Sequence, residues 1–94
     1  MDKTVYDIDG LKITIETEKI DDAKKKDDFH RRLVGYQFRA IRESAGMSRA
    51  QFSEWTGIPS RTMEEWEIGR RIMPDYVLRL VAYKVLMEKT AGRI

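Results

Sequence analysis

Residues 48–67 read SRAQFSEWTGIPSRTMEEWE, and the order of capping, apolar and turn-forming residues in that stretch predicts two short helices joined by a tight turn. Ser48 is a favourable N-cap. Gln51, three residues on, completes a capping box, since each side chain satisfies a backbone N–H that the first helical turn leaves without a partner. The helix that starts there carries Ala50, Phe52 and Trp55 and ends at Thr56-Gly57, where glycine reaches positive φ at little steric cost. Ile58 is the expected plug of the turn. Pro59 and Ser60 open the next helix, because proline supplies a helical φ and lacks only an N–H that the first turn does not use. Met63 and Trp66 form its inward stripe at spacing i, i+3, which leaves Ser60, Arg61, Glu64 and Glu65 facing outward.

Upstream, Val34, Phe38, Ile41 and Ala45 fall at i, i+4, i+7 and i+11, one face of a helix that Gly46 ends. Downstream, Gly69-Arg70-Arg71-Ile72-Met73-Pro74 is a basic loop closed by a proline that cannot sit inside a helix. An apolar helix over about 75–89 follows.

Arg42, Gly46, Ser48, Ala50, Phe52, Gly57-Ile58, Thr62-Met63, Glu67, Gly69, Pro74 and Leu78, in this order, resemble the helix-turn-helix domain of the Cro and lambda-repressor type, also called Xre-like. The resemblance covers residues 34–88. It implies a mainly α fold: a five-helix lambda-repressor-like domain over residues 31–94, whose recognition helix runs from about Pro59 to Glu67. It also implies that Arg42 and Glu67 form a structural ion pair tying the first helix to the end of the recognition helix. Two positions depart from the pattern: Ser53 stands where many members have alanine, and Pro59 where a serine or threonine caps the recognition helix, so that Ser60 moves the cap by one residue.

What the resemblance implies about function is a sequence-specific transcriptional regulator of double-stranded DNA, a repressor of phage, mobile-element or toxin-antitoxin type. Arg61 is the strongest base-reading candidate, because a guanidinium can bond both O6 and N7 of guanine. Ser60 reads or positions, and Glu64 and Glu65 accept from cytosine N4. Ser48, Arg49, Arg70 and Arg71 are the candidate phosphate-binding residues along the walls of the major groove. Phosphate repels the two adjacent acids unless they point at base edges, which opens an alternative of another class. In it the chain is a protein-binding module on the same scaffold, an antitoxin or an anti-CRISPR-like nuclease inhibitor, whose partner is a toxin or a nuclease.

The formal net charge of the 94 residues is +2, and its distribution is uneven. Residues 1–30 hold six lysines against nine acids, and residues 31–94 hold twelve Lys or Arg against seven acids, so the basic charge sits on the helical part. That is the balance expected of a surface for nucleic acid.

Residues 1–20 read as a β-hairpin extension. Strands over 4–8 and 11–17 alternate, with Leu11, Ile13 and Ile15 on one face, and they are separated by Asp9-Gly10, a type I′ turn signal. Two strands are marginal alone, so the apolar face of Tyr6, Ile8, Leu11, Ile13 and Ile15 either docks on the helical domain or pairs with a second copy. Residues 21–30, which include DDAKKKDD, read as a charged linker, favoured over a solvated helical turn.

Between Tyr76 and Met87 only Arg79 and Lys84 are charged, more apolar residues than one core-facing stripe needs. The surplus is covered either by the hairpin or by a homodimer partner across a two-fold axis, through the C-terminal helix or the hairpin. Trp55 and Trp66 lie on the apolar sides of their helices and are expected in the core rather than stacked on unpaired bases.

The absence of cysteine removes disulfides and thiolate metal sites. With His30 the single histidine and no spaced carboxylate pair, neither a metal site nor a nucleophile with its base can be assembled, so an enzyme is not expected and no cofactor is called for. Ser48 and Ser60 are better explained as caps than as nucleophiles. There is neither a membrane-length apolar run nor a signal-peptide pattern, and a cytoplasmic protein without a membrane partner is the expectation.

Overall fold

Asp9 and Gly10 both take positive φ, 50° and 99°, the two left-handed residues that a type I′ turn requires. The Gly10 N–H donates to Asp7 Oδ1 at 2.7 Å and closes the turn. The flanking strands β1 (Lys3–Ile8) and β2 (Leu11–Glu16) pair antiparallel, with Ile8 opposite Leu11, Tyr6 opposite Ile13 and Thr4 opposite Ile15. The period-2 alternation therefore puts all six of these residues on one face, where Ile8, Leu11, Ile13 and Ile15 are buried. That face lies on the helical body, against two of its helices, which is the first of the two dockings open from sequence.

The computed structural model describes residues 3–16 and 26–94, and in them the chain forms a mainly helical domain with the hairpin at its N-terminal side. The helices are α1 (Lys26–Ser44), α2 (Arg49–Thr56), α3 (Ser60–Glu67) and α4 (Asp75–Thr90). Four helices among the described residues replace the expected five. After Pro74 the apolar periodicity meets no breaker before Gly92, so the whole stretch makes one helix, closed by the Arg93 N–H bonding back to the Glu88 carbonyl at 2.9 Å.

Within the stretch 21–30 expected as a linker, residues 26–30 are helical, because α1 begins at Lys26. Residues 21–25 lie outside the described residues. Phe29 and His30 are exposed on the early turns of α1, so the helix extends beyond its buried stripe and no apolar period marks its start.

Phe38 of α1 is the centre of the core. Its ring meets Phe52 of α2 edge-on at 5.7 Å and Trp66 of α3 edge-on at 5.6 Å, the geometry in which the positive edge of one ring faces the negative face of another. Ile41, Met63 and Val85 fill the space around these rings and are fully buried. Ala50, expected on the inner side of α2, is exposed. Residues two apart on a helix lie on nearly opposite sides, so Ala50 cannot share a face with the buried Phe52. Trp55 is partly buried at the core margin, with Lys84 Nζ 4.6 Å from the centre of its ring.

Gly35 is where α1 passes the end of α3. A methyl group added there would overlap the Trp66 carbonyl oxygen and come within 3.0 Å of that of Glu67. The absence of a side chain at this one helical position is what permits the crossing.

Candidate nucleic-acid interface

The pair α2–α3 is built by local bonds. The Gln51 N–H donates to Ser48 Oγ at 3.2 Å and the Ser48 N–H to Gln51 Oε1 at 2.9 Å, so the start of α2 is doubly capped. At the other end Gly57 takes φ 82° and donates its N–H to the Ser53 carbonyl at 2.8 Å. The turn is pinned by side chains as well: the Ser53 hydroxyl donates to the Ile58 carbonyl, and the Ile58 N–H donates to Thr56 Oγ1 at 3.2 Å. Ser53, one of the two residues that depart from the resemblance, thus helps to fix the angle at which α3 leaves the turn.

The first turn of α3 has no side-chain cap, because Pro59 occupies the N-cap position. Its last turn ends in a Schellman arrangement in which the Gly69 N–H reaches the Trp66 carbonyl at 3.1 Å and the Arg70 N–H reaches that of Glu65 at 2.9 Å. Gly69 has φ 77°, which an L side chain would strain. This closure folds Arg70 and Arg71 back beside the helix.

A tertiary clamp sets the position of α3. Arg42 donates from Nε to Glu67 Oε2 at 3.2 Å and from Nη2 to Oε1 at 3.1 Å, and its Nη1 donates to the Met47 carbonyl at 2.9 Å. One guanidinium thereby joins the end of α1, the loop before α2 and the last turn of α3. The two side chains retain only 11% and 7% of their exposure, so the pair is screened little by water.

The outward side of α3 carries Ser60, Arg61 and Glu64, all exposed, Arg61 over 87% of its side chain. Arg49 at the start of α2 and Arg70 and Arg71 after α3 are exposed beside it. Glu65 differs from its expected place among the base-facing residues: its side chain is only 18% exposed and lies between two guanidiniums. Arg71 Nε is 2.9 Å from one carboxylate oxygen and Arg61 Nε 3.6 Å from the other. Glu64 is 3.8 Å from Arg49 Nη1. Arg70 has no carboxylate partner among the described residues.

No family model, curated protein or solved structure matches this chain. No group of three or more His, Cys, Asp or Glu among the described residues is placed to hold a metal ion, and no helix among them is long and apolar enough to cross a membrane.

The hydrogen bond from Arg71 is the main cause that holds the Glu65 carboxyl below its ordinary range; partial desolvation works the other way, and the charges of Arg71 and Arg61 add to the lowering. A depressed carboxyl favours the folded state above its unfolded pKa, and that contribution fades as pH falls through the depressed value. The expected result is that the Glu65 side-chain carbon titrates, by NMR, with a midpoint below that of a free glutamate. Arg71→Ala returns it toward that reference. A midpoint indifferent to Arg71→Ala would show that the tie does not persist in solution.

Gly35 and the Glu65 clamp are the two positioning features that sequence reasoning missed. An isolated glycine inside a helical pattern costs helix stability and is the signal that could have exposed the first. The second had none, because the return of residues 69–71 over Glu65 depends on the whole closure.

Proposed function

We propose that the chain is a sequence-specific binder of double-stranded DNA, a transcriptional regulator that inserts α3 in the major groove. The observation that carries this reading is the two-sidedness of α3: Met63 and Trp66 are buried while Ser60, Arg61 and Glu64 stand open beside Arg49, Arg70 and Arg71. Arg61 reads guanine, Ser60 reads or positions, and Glu64 accepts from cytosine. Ser48, Arg49, Arg70 and Arg71 hold the backbone. The uncapped first turn of α3 supports the assignment, since backbone N–H groups there suit a phosphate oxygen. Glu65 holds Arg61 and Arg71 in place instead of reading a base. Repression and the phage, mobile-element or toxin-antitoxin setting follow from the resemblance.

Binding to mixed-sequence duplex, compared at about 50 mM and about 200 mM salt, tests the reading: a protein that neutralises several phosphates loses affinity steeply over that interval. Arg61→Ala is expected to cost roughly 1–3 kcal/mol on a selected sequence and to relax specificity at one base position. Arg70→Ala weakens all sequences alike and flattens the salt slope. Equal losses on selected and random duplex for Arg61→Ala would remove it as a reader.

A second reading is favoured by one observation. Three of the four guanidiniums around α3 already face carboxylates on the same surface: Arg49 with Glu64, and Arg61 and Arg71 with Glu65. A mixed-charge surface of this kind suits a protein partner, such as a toxin or nuclease. No detectable DNA binding at the lower salt would select this reading.

A further inference from the structure

Two guanidiniums share the Glu65 carboxylate, one on each oxygen. Arg71 Nε donates to Oε2 at 2.9 Å and Arg61 Nε stands 3.6 Å from Oε1, so one side chain bridges the outward side of α3 and the loop that follows it. Glu65 keeps 18% of its side-chain exposure, whereas Arg61 keeps 87% and Arg71 64%. The acid is therefore the fixed point, and the two longer side chains reach past it into solvent. The bond from Arg71 also holds the carboxyl below its ordinary range, which keeps the bridge charged at neutral pH.

We propose that Glu65 sets sequence discrimination: it holds Arg61 and Arg71 in one register on the duplex and withholds them from the phosphates of DNA that does not match. The inference rests on the reading of α3 as a major-groove helix and concerns how that helix rejects other sequences. Its chemical basis is the atom each arginine uses. In both contacts the atom nearest the carboxylate is Nε, which leaves the two Nη groups at the far end of the side chain. Those groups are the fork that bonds O6 and N7 of guanine, so Arg61 can read a base without releasing Glu65. Arg71 stays tied as well and meets a phosphate only where the bridge allows.

On DNA without the matching guanine the balance changes. A guanidinium that swings toward the nearest phosphate must leave its carboxylate, and the stranded negative charge then repels the same phosphate. Each such contact costs a broken ion pair with no base bond in return. Discrimination widens because the wrong complex is made worse, not because the right one is made better.

Salt titrations of the full chain on two duplexes test this, one of mixed sequence and one selected from a random pool by the wild-type chain. Glu65→Gln keeps the shape of the side chain and removes its charge. It is expected to bind the mixed duplex at least ~10-fold tighter at about 50 mM salt and to steepen the slope of log affinity against log salt by about 1–2, as one or two more phosphates are neutralised. On the selected duplex, where both arginines are already engaged, the gain stays under about 3-fold, so the ratio between the two affinities falls. A merely structural role for Glu65 would not steepen the slope. Glu65→Asp, too short to reach both guanidiniums, adds about half that increase and serves if Glu65→Gln lowers the thermal melt. Glu54→Gln is the control for net charge, since Glu54 is exposed on α2 and belongs to no ion pair among the described residues. A mixed-duplex affinity and slope that Glu65→Gln leaves unchanged, or changes no more than Glu54→Gln does, overturn the proposal and leave the DNA reading standing. Failure of the wild type and Glu65→Gln alike to bind the mixed duplex at the lower salt overturns that reading, and the proposal with it.

Discussion

Glu67→Ala is expected to destabilise the fold by about 3–5 kcal/mol and to lower the melting temperature by roughly 15–30 °C, measured by urea and thermal unfolding. The size follows from what the substitution leaves behind. Arg42 would keep its bond to the Met47 carbonyl but lose both contacts to the carboxylate, and its charge would remain in a site that retains 11% of its exposure. An exposed ion pair would be worth under about 1 kcal/mol, so a loss below that figure would show that water screens the clamp. Removing both charges together should behave differently. Arg42→Met combined with Glu67→Met fills a similar volume without a desolvation cost and is expected to recover most of the loss, whereas either change alone strands one buried charge.

Gly35→Ala is the second large effect, and its sign is the instructive part. Alanine favours a helix over glycine by about 0.5–1 kcal/mol, so at an open helical position the change would stabilise. Here the new methyl would meet the carbonyl oxygens of Trp66 and Glu67, which are backbone and cannot rotate aside. Relief requires α3 to shift at its last turn, which disturbs the Arg42–Glu67 bonds and the edge contact between Phe38 and Trp66. An overall loss of about 3 kcal/mol is expected, at the upper end of overpacking effects. A gain in stability on urea unfolding would show that α1 and α3 stand further apart than described.

The features that sequence made legible are those written in short-range chemistry. Ser48 and Gln51 identify a capping box because both bonds lie within one helical turn, and Asp9-Gly10 identifies its hairpin because two adjacent positive φ values suit few other pairs. The inward placing of Met63 and Trp66 likewise follows from helical period. The pairing of Arg42 with Glu67 spans 25 residues and came from the resemblance, since no local period links them. What stayed hidden depends on closure in three dimensions. The reach of Gly35 to α3 and the burial of Glu65 between Arg61 and Arg71 need several elements in place at once. The early start of α1 has a different reason: Phe29 and His30 are exposed, so the buried period of the helix does not reach back to them.

The docking of the hairpin has a consequence for how the molecule is made. Asp9 and Arg79 are 70 residues apart in sequence yet bonded, and Ile13 and Ile15 are covered by helices that include the last one. A hairpin is only marginally stable alone. On the ribosome the hairpin emerges before α4, so its apolar face waits uncovered until residues 75–90 have left the exit tunnel and Arg79 can reach Asp9.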